Sequence, residues 1–193
     1  MAKAGTRQAL FLGLHGTLLH DWTDREDYVH PRFFEGALEA LTRIDPNRLS
    51  VFIATNQCEV ASGLVRERDF KRLQEAVLQA FDLAGIPLTR IYACLHHPQG
   101  KGKWRKESVF RKPNIGMFKM AEQEFDLNLG RSWLVCQSTS DVLAGQRAAL
   151  GTVLVRTGKA GRDGEFIVEP HFTERDLPAA IRCIQQFELS LTR

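Results

Sequence analysis

The sequence predicts an α/β fold built on a mostly parallel central sheet. Short apolar runs of strand length recur along the chain: Ala9–Leu14, Leu49–Ala54, Ile91–Ala93, Ser132–Cys136 and Thr152–Val155. Uncharged runs of that length read as strands buried on both faces. Between them lie segments with apolar residues at three- and four-residue spacing, the period of amphipathic helices. The runs also end in polar turns such as Gly13-Leu14-His15-Gly16-Thr17 and Thr55-Asn56-Gln57, as strands do when they deliver residues to the carboxyl edge of an open α/β sheet, where such folds keep their sites. A chain of 193 residues suits one domain, 1–193 with a core of about 8–187.

In chain order, Leu19 to His30 reads as a loop or small flap, with Asp21, Asp24, Glu26 and Asp27 around Trp22 and Tyr28. From Pro31 the spacing of Phe33, Phe34, Ala37, Leu38 and Leu41 predicts a helix, with proline in its first turn and Asp45-Pro46-Asn47 as its stop. Glu67 to Leu83 is an amphipathic helix whose apolar side is Phe70, Leu73, Val77, Leu78, Phe81 and Leu83, ended by Gly85-Ile86-Pro87. A loop packing Trp104, Val109 and Phe110 precedes a helix from Met117 to Phe125, with Met117, Met120, Ala121 and Phe125 as its buried stripe. Phe166-Ile167-Val168 reads as a short strand, and Leu177 to Leu189 as a C-terminal helix opened by Asp176 and Pro178.

The functional signal lies at the strand ends. Gly13-Leu14-His15-Gly16-Thr17-Leu18 resembles motif I of the haloacid dehalogenase (HAD) phosphohydrolases, D-x-D-G-T-L, with Gly13 and His15 in place of the two aspartates. Thr55-Asn56-Gln57-Cys58-Glu59-Val60-Ala61-Ser62-Gly63 resembles motif II in the form T-N-Q-x-G-I-A-R-G. Cys94-Leu95-His96-His97-Pro98 followed by Arg111-Lys112-Pro113 resembles the D,D-heptose-1,7-bisphosphate and histidinol-phosphate phosphatase branch. Cys136 to Gly145 resembles motif IV, G-D-x-x-x-D-V-x-A-G, with Gln137 at the first acid and Asp141 at the second. The resemblance runs from Leu10 to about Ile184. It implies a Rossmannoid three-layer α/β/α fold with a minimal cap.

It also implies roles. In the family the first motif-I aspartate attacks phosphorus, the second moves the proton, and carboxylates from motifs I and IV hold Mg²⁺. On this chain Gly13 stands at the nucleophile position, His15 at the acid/base position and Gln137 at a Mg²⁺-ligand position. Asp141 is the surviving acid. Thr55, Asn56, Arg111 and Lys112 are the implied phosphate-binding residues. The family's zinc site would use Cys94 and His96, but its later C-x-C slots hold Ser108 and Phe110. A serine hydroxyl is a poor zinc ligand and phenylalanine is none. No cofactor is therefore expected: Mg²⁺ would bind weakly at best, and the zinc site reads as vestigial.

Losing nucleophile and metal carboxylate together predicts a phosphatase fold with a disabled aspartate site, since such groups act as a unit. Three readings follow: a protein that binds a phosphorylated small molecule or a protein partner; an active phosphohydrolase with altered chemistry through His15, with Cys136 as a helper; or a structural or regulatory subunit. A dinucleotide-binding domain is excluded because no G-x-G-x-x-G follows the first strand.

Composition narrows the partners. A net charge of +3 without a dense basic block argues against nucleic acid. No apolar run approaches membrane-spanning length. Cys58, Cys94, Cys136 and Cys183 lack a framework spacing, so reduced thiols and a cytoplasmic location are expected.

Overall fold

The computed structural model describes residues 6–24 and 27–191; Glu26 of the acidic loop lies outside them. Six parallel strands form one sheet in the order β3-β2-β1-β4-β5-β6. They are β1 (Gln8–Leu12), β2 (Leu49–Asn56), β3 (Leu88–Cys94), β4 (Trp133–Cys136), β5 (Gly151–Val155) and β6 (Phe172–Glu174). The helices are α1 (Ala37–Thr42), α2 (Cys58–Ser62), α3 (Glu67–Leu83), α4 (Gly116–Phe125), α5 (Thr139–Arg147) and α6 (Leu177–Leu191).

Successive side chains of a strand point to opposite faces, and β1 is buried on both. Leu10 and Leu12 join the core under α1, α3 and α6, whereas Ala9 and Phe11 join the core under α4 and α5. Phe11 lies 5.1 Å from the ring of Phe52 and 5.0 Å, edge-on, from Phe118. Three layers result. From β1 the chain first builds outward through β2 and β3, then crosses to the other side at β4. This reversal opens a crevice at the carboxyl ends of β1 and β4, the usual ligand position in such sheets.

The predicted strands and long helices are present, with four differences. The segment after Pro31 is extended: Phe33 bridges Leu19, the Phe34 N–H donates to Leu18 O at 3.1 Å, and His20 N–H donates to Arg32 O at 2.8 Å. The backbone of the 18–20 turn needs those partners, so α1 begins only after Gly36, whose φ is +69°. On α3, Phe70, Leu73, Val77 and Phe81 are buried, but Leu78 and Leu83 face solvent. On α4 the buried stripe is Met117, Phe118 and Ala121; Met120 is exposed, and so is Val109 in the preceding loop. Phe166–Val168 is not a strand, and Ile167 is fully exposed. The sheet edge is taken by Phe172–Glu174, guided there by His171, whose N–H donates to Thr152 Oγ1 at 3.1 Å while its Nδ1 accepts from Thr152 N–H at 3.1 Å.

Candidate functional site

The loops after β1, β2, β4 and β5, with the one before α4, enclose a cleft of about 150 Å³. Gly13, His15, Thr55, Asn56, Arg111, Lys112, Gln137 and Asp141 all line it. The predicted catalytic and phosphate-binding positions are thus brought together, and three of them, Asn56, Lys112 and Asp141, are bonded to one another.

The β1 loop is tight. Leu14 O accepts from the amides of Leu18 and Leu19, both at 2.9 Å, and Gly16 N–H donates to Leu19 O at 2.7 Å. Gly16 has φ +74°, the left-handed region where glycine carries no Cβ penalty. The β5 loop packs against it: Thr157 Oγ1 donates to Gly16 O at 2.7 Å, and a Cβ on Gly158 would lie 2.6 Å from Gly16 Cα. Gly13 is held by its N–H to Val135 O at 2.9 Å. A Cβ there would meet Thr17 Oγ1 at 2.8 Å.

His15 is the polar side chain that β1 sends into the cleft. Burial pushes its pKa below the usual histidine value, against the opposing charge of Asp21, so the imidazole is neutral at pH 7. Its ring lies 5.7 Å from that of Tyr28. Tyr28 in turn anchors the flap: its hydroxyl donates to Gln57 Oε1 at 2.7 Å, and Gln57 Nε2 donates to Thr55 Oγ1 at 3.0 Å.

Asn56 clamps the loop before α4. Its Nδ2 donates to Lys112 O at 3.0 Å and its Oδ1 accepts from Lys112 N–H at 3.1 Å. That clamp sends Lys112 inward, where its ammonium lies 2.6 Å from Asp141 Oδ1 and donates to Ala54 O at 2.7 Å. Asp141 is held by α5, whose N-cap Ser138 accepts the Asp141 N–H through Oγ at 3.3 Å. Arg111 donates to Cys58 Sγ at 2.8 Å. The amide oxygen of Gln137 accepts from Lys159 N–H at 2.6 Å, so this side chain braces the β5 loop. Cys136 is fully buried with its thiol pushed well up by burial and faces Val153 O at 3.8 Å; it cannot assist His15.

Four charged cleft residues were not predicted: Asp21, Glu59, Lys159 and Glu165. Glu59 has a readable signal, since it stands where T-N-Q-x-G-I-A-R-G has glycine. Burial holds its carboxyl above the usual range, while its own backbone N–H, Lys159 and Arg111 act in the opposite direction.

The Cys94–Pro98 segment folds through local bonds. Cys94 is buried with Sγ 3.7 Å from His96 O, the His96 ring lies 5.2 Å from Trp104, and His97 Nδ1 accepts from Gln99 N–H at 3.0 Å. Ser108 Oγ accepts from Phe110 N–H at 3.2 Å. Among the described residues, no three His, Cys, Asp or Glu side chains come together as a metal-holding group. All four cysteines are free thiols, and no helix of the described residues is long and apolar enough to cross a membrane.

The chain matches the family described as Polynucleotide kinase 3 phosphatase over residues 17–143, and the HAD-hydrolase-like family over residues 109–180. It is 35% identical over 160 residues to the D-glycero-beta-D-manno-heptose-1,7-bisphosphate 7-phosphatase of Haemophilus ducreyi, covering 80% of this chain and 86% of that one. It is 35% identical over 186 residues to the enzyme of the same name from Pasteurella multocida, covering 91% and 97%. The chain belongs to the HAD-like hydrolases, in the heptose-bisphosphate phosphatase branch. A solved D,D-heptose 1.7-bisphosphate phosphatase from B. bronchiseptica, complexed with magnesium and phosphate, shares the fold at TM-score 0.79 and 23% identity over 93% of this chain and 99% of that one. At the strand ends this chain carries glycine at position 13, histidine at 15 and glutamine at 137.

Proposed function

We propose that this protein binds a phosphorylated sugar without hydrolysing it through a phosphoaspartate. The observation that carries the reading is Gly13. The nucleophile position has no side chain, yet the surrounding phosphatase scaffold is folded and the cleft is formed. The cleft is also mixed in charge: Arg111, Lys112 and Lys159 face Asp21, Glu59, Asp141 and Glu165. A bare anion gains little there, whereas a ligand carrying both a phosphate and several hydroxyl donors can use both kinds of group. The relatives named as heptose-bisphosphate phosphatases support that ligand class.

The donor set does not fit Mg²⁺, which needs hard anionic oxygens in octahedral geometry. Gln137 is neutral and occupied by Lys159 N–H, and the Asp141 carboxylate is tied to Lys112. Zinc is not assigned to the Cys94–His96 segment either, because Ser108 and Phe110 supply no third and fourth ligand. Phosphate binding would rest on the Thr55–Asn56 backbone and on Arg111 rather than on Lys112, whose ammonium is spent on Asp141 and Ala54 O.

One observation favours a second reading. His15 is neutral at pH 7 and lines the cleft, so it can attack phosphorus itself or take the proton from an attacking water, and the relatives are named as phosphatases. Calorimetric titration with heptose 1,7-bisphosphate, paired with an assay of phosphate release, separates the two. Saturable binding without release supports the binding reading. Release that is lost in His15→Asn supports the second, and neither binding nor release leaves the scaffold role.

A further inference from the structure

A buried carboxylate oxygen normally has a hydrogen-bond partner, because leaving it dry and unpaired costs several times what one bond contributes. Glu59 Oε2 is buried and has none among the described residues. Glu59 sits in the first turn of α2 and lines the cleft. Two cations reach toward it from separate loops. Lys159, after β5, uses its backbone N–H on Gln137 but its ammonium makes no hydrogen bond or ion pair among the described residues. Arg111, before α4, spends one N–H on Cys58 Sγ and keeps the others of its five-donor fork. Asp21 faces Glu59 from the β1 loop, and Tyr28 lies near it from the flap.

Lys112 is closed off by Asp141, so Lys159 and Arg111 are the cleft cations without a carboxylate partner among the described residues. Resting on the phosphosugar reading above, we propose that Glu59 is the specificity residue of the cleft: its carboxyl takes a hydroxyl of the bound sugar, while Lys159 and Arg111 take the phosphate of the same molecule. All three groups line the same cleft, and no ion pair joins the acid to either cation among the described residues, so one ligand can bridge them. Glycine at this position, as in T-N-Q-x-G-I-A-R-G, provides no such acceptor. Burial, which raises the Glu59 pKa, acts in the same sense, because it disfavours the charged form that would repel a neighbouring phosphate.

The test is calorimetric titration of the whole protein with two probes, heptose 1,7-bisphosphate and inorganic phosphate, on the natural chain and on Glu59→Ala, Glu59→Gln and Lys159→Ala. A charge-assisted hydrogen bond to a hydroxyl predicts that Glu59→Ala weakens the sugar bisphosphate about tenfold and leaves inorganic phosphate within about twofold. Glu59→Gln, which keeps one acceptor oxygen, should recover part of the loss, and Lys159→Ala should weaken both probes. Unchanged sugar affinity in Glu59→Ala, or an equal loss for both probes, overturns the assignment while leaving the phosphosugar reading standing. A natural chain that binds neither probe overturns both.

Discussion

The ammonium of Lys112 lies 2.6 Å from Asp141 Oδ1, with only 3% and 10% of the two side chains exposed. In an intact HAD site a lysine here neutralises phosphate and the aspartate nucleophile. With Gly13 in the nucleophile position, Asp141 is the anion left for it. The pair closes the inner cleft and makes it a structural element.

Removing one partner should therefore cost more than removing both. Asp141→Asn strands a buried ammonium and is expected to destabilise the fold by about 3 kcal/mol. The double variant Lys112→Met/Asp141→Leu, which takes both charges away, should lose less. Urea denaturation of the three proteins checks the order.

The helix α3 separates buried from exposed leucines cleanly. Leu73 is fully buried and Leu83 is 81% exposed. Leu73→Ala is expected to cost about 2–5 kcal/mol, as other buried leucine deletions do. Leu83→Ala should stay within about 0.5 kcal/mol. Equal losses in chemical denaturation would contradict the observed helix face.

That contrast also shows what was legible in the sequence. The boundaries of α3 followed from its periodicity, because one apolar stripe and a Gly-Ile-Pro stop act locally. The exposure of Leu83 did not: Phe81 in the same turn is buried, and only the tertiary arrangement fixes where the apolar stripe ends. Likewise Phe166–Val168 has strand composition, but the free edge of β5 is taken by Phe172–Glu174, and periodicity cannot say which of two short segments reaches an edge. At the site, Gly13, His15, Thr55, Gln137 and Asp141 could be placed together because strand ends converge. Their bonding could not: that Asn56 clamps Lys112, and that Gln137 braces Lys159, depends on side-chain directions across loops distant in sequence. Glu59 was passed over although it stands where the motif-II form has glycine, because that departure alone does not say which way its side chain points.

Two cleft groups make stability depend on pH in opposite directions. Glu59 has a folded pKa raised above its ordinary value of 4.5, so the folded state holds the proton longer, and stability falls as pH rises from there through the folded value. His15 has a folded pKa lowered from 6.5, so the unfolded state takes the proton first, and stability falls as pH drops below 6.5 toward the folded value. Glu59→Gln should flatten the first loss and His15→Asn the second. Denaturation midpoints measured across this pH range check both signs.

Restoring the three acids should restore chemistry at some cost to the fold. In Gly13→Asp/His15→Asp/Gln137→Asp, the new Cβ at position 13 falls 2.8 Å from Thr17 Oγ1, and Lys159 N–H loses the Gln137 oxygen. A destabilisation of about 1–3 kcal/mol is expected from the crowding. Phosphate release in Mg²⁺ should nevertheless rise above that of the natural chain, read by a colorimetric phosphate assay.

The most direct measurement is phosphate release from heptose 1,7-bisphosphate by the natural protein with Mg²⁺ present, run beside calorimetric binding of the same ligand. The account predicts saturable binding and no release above the uncatalysed background. Turnover by the natural chain would contradict it and make His15→Asn the next variant to assay.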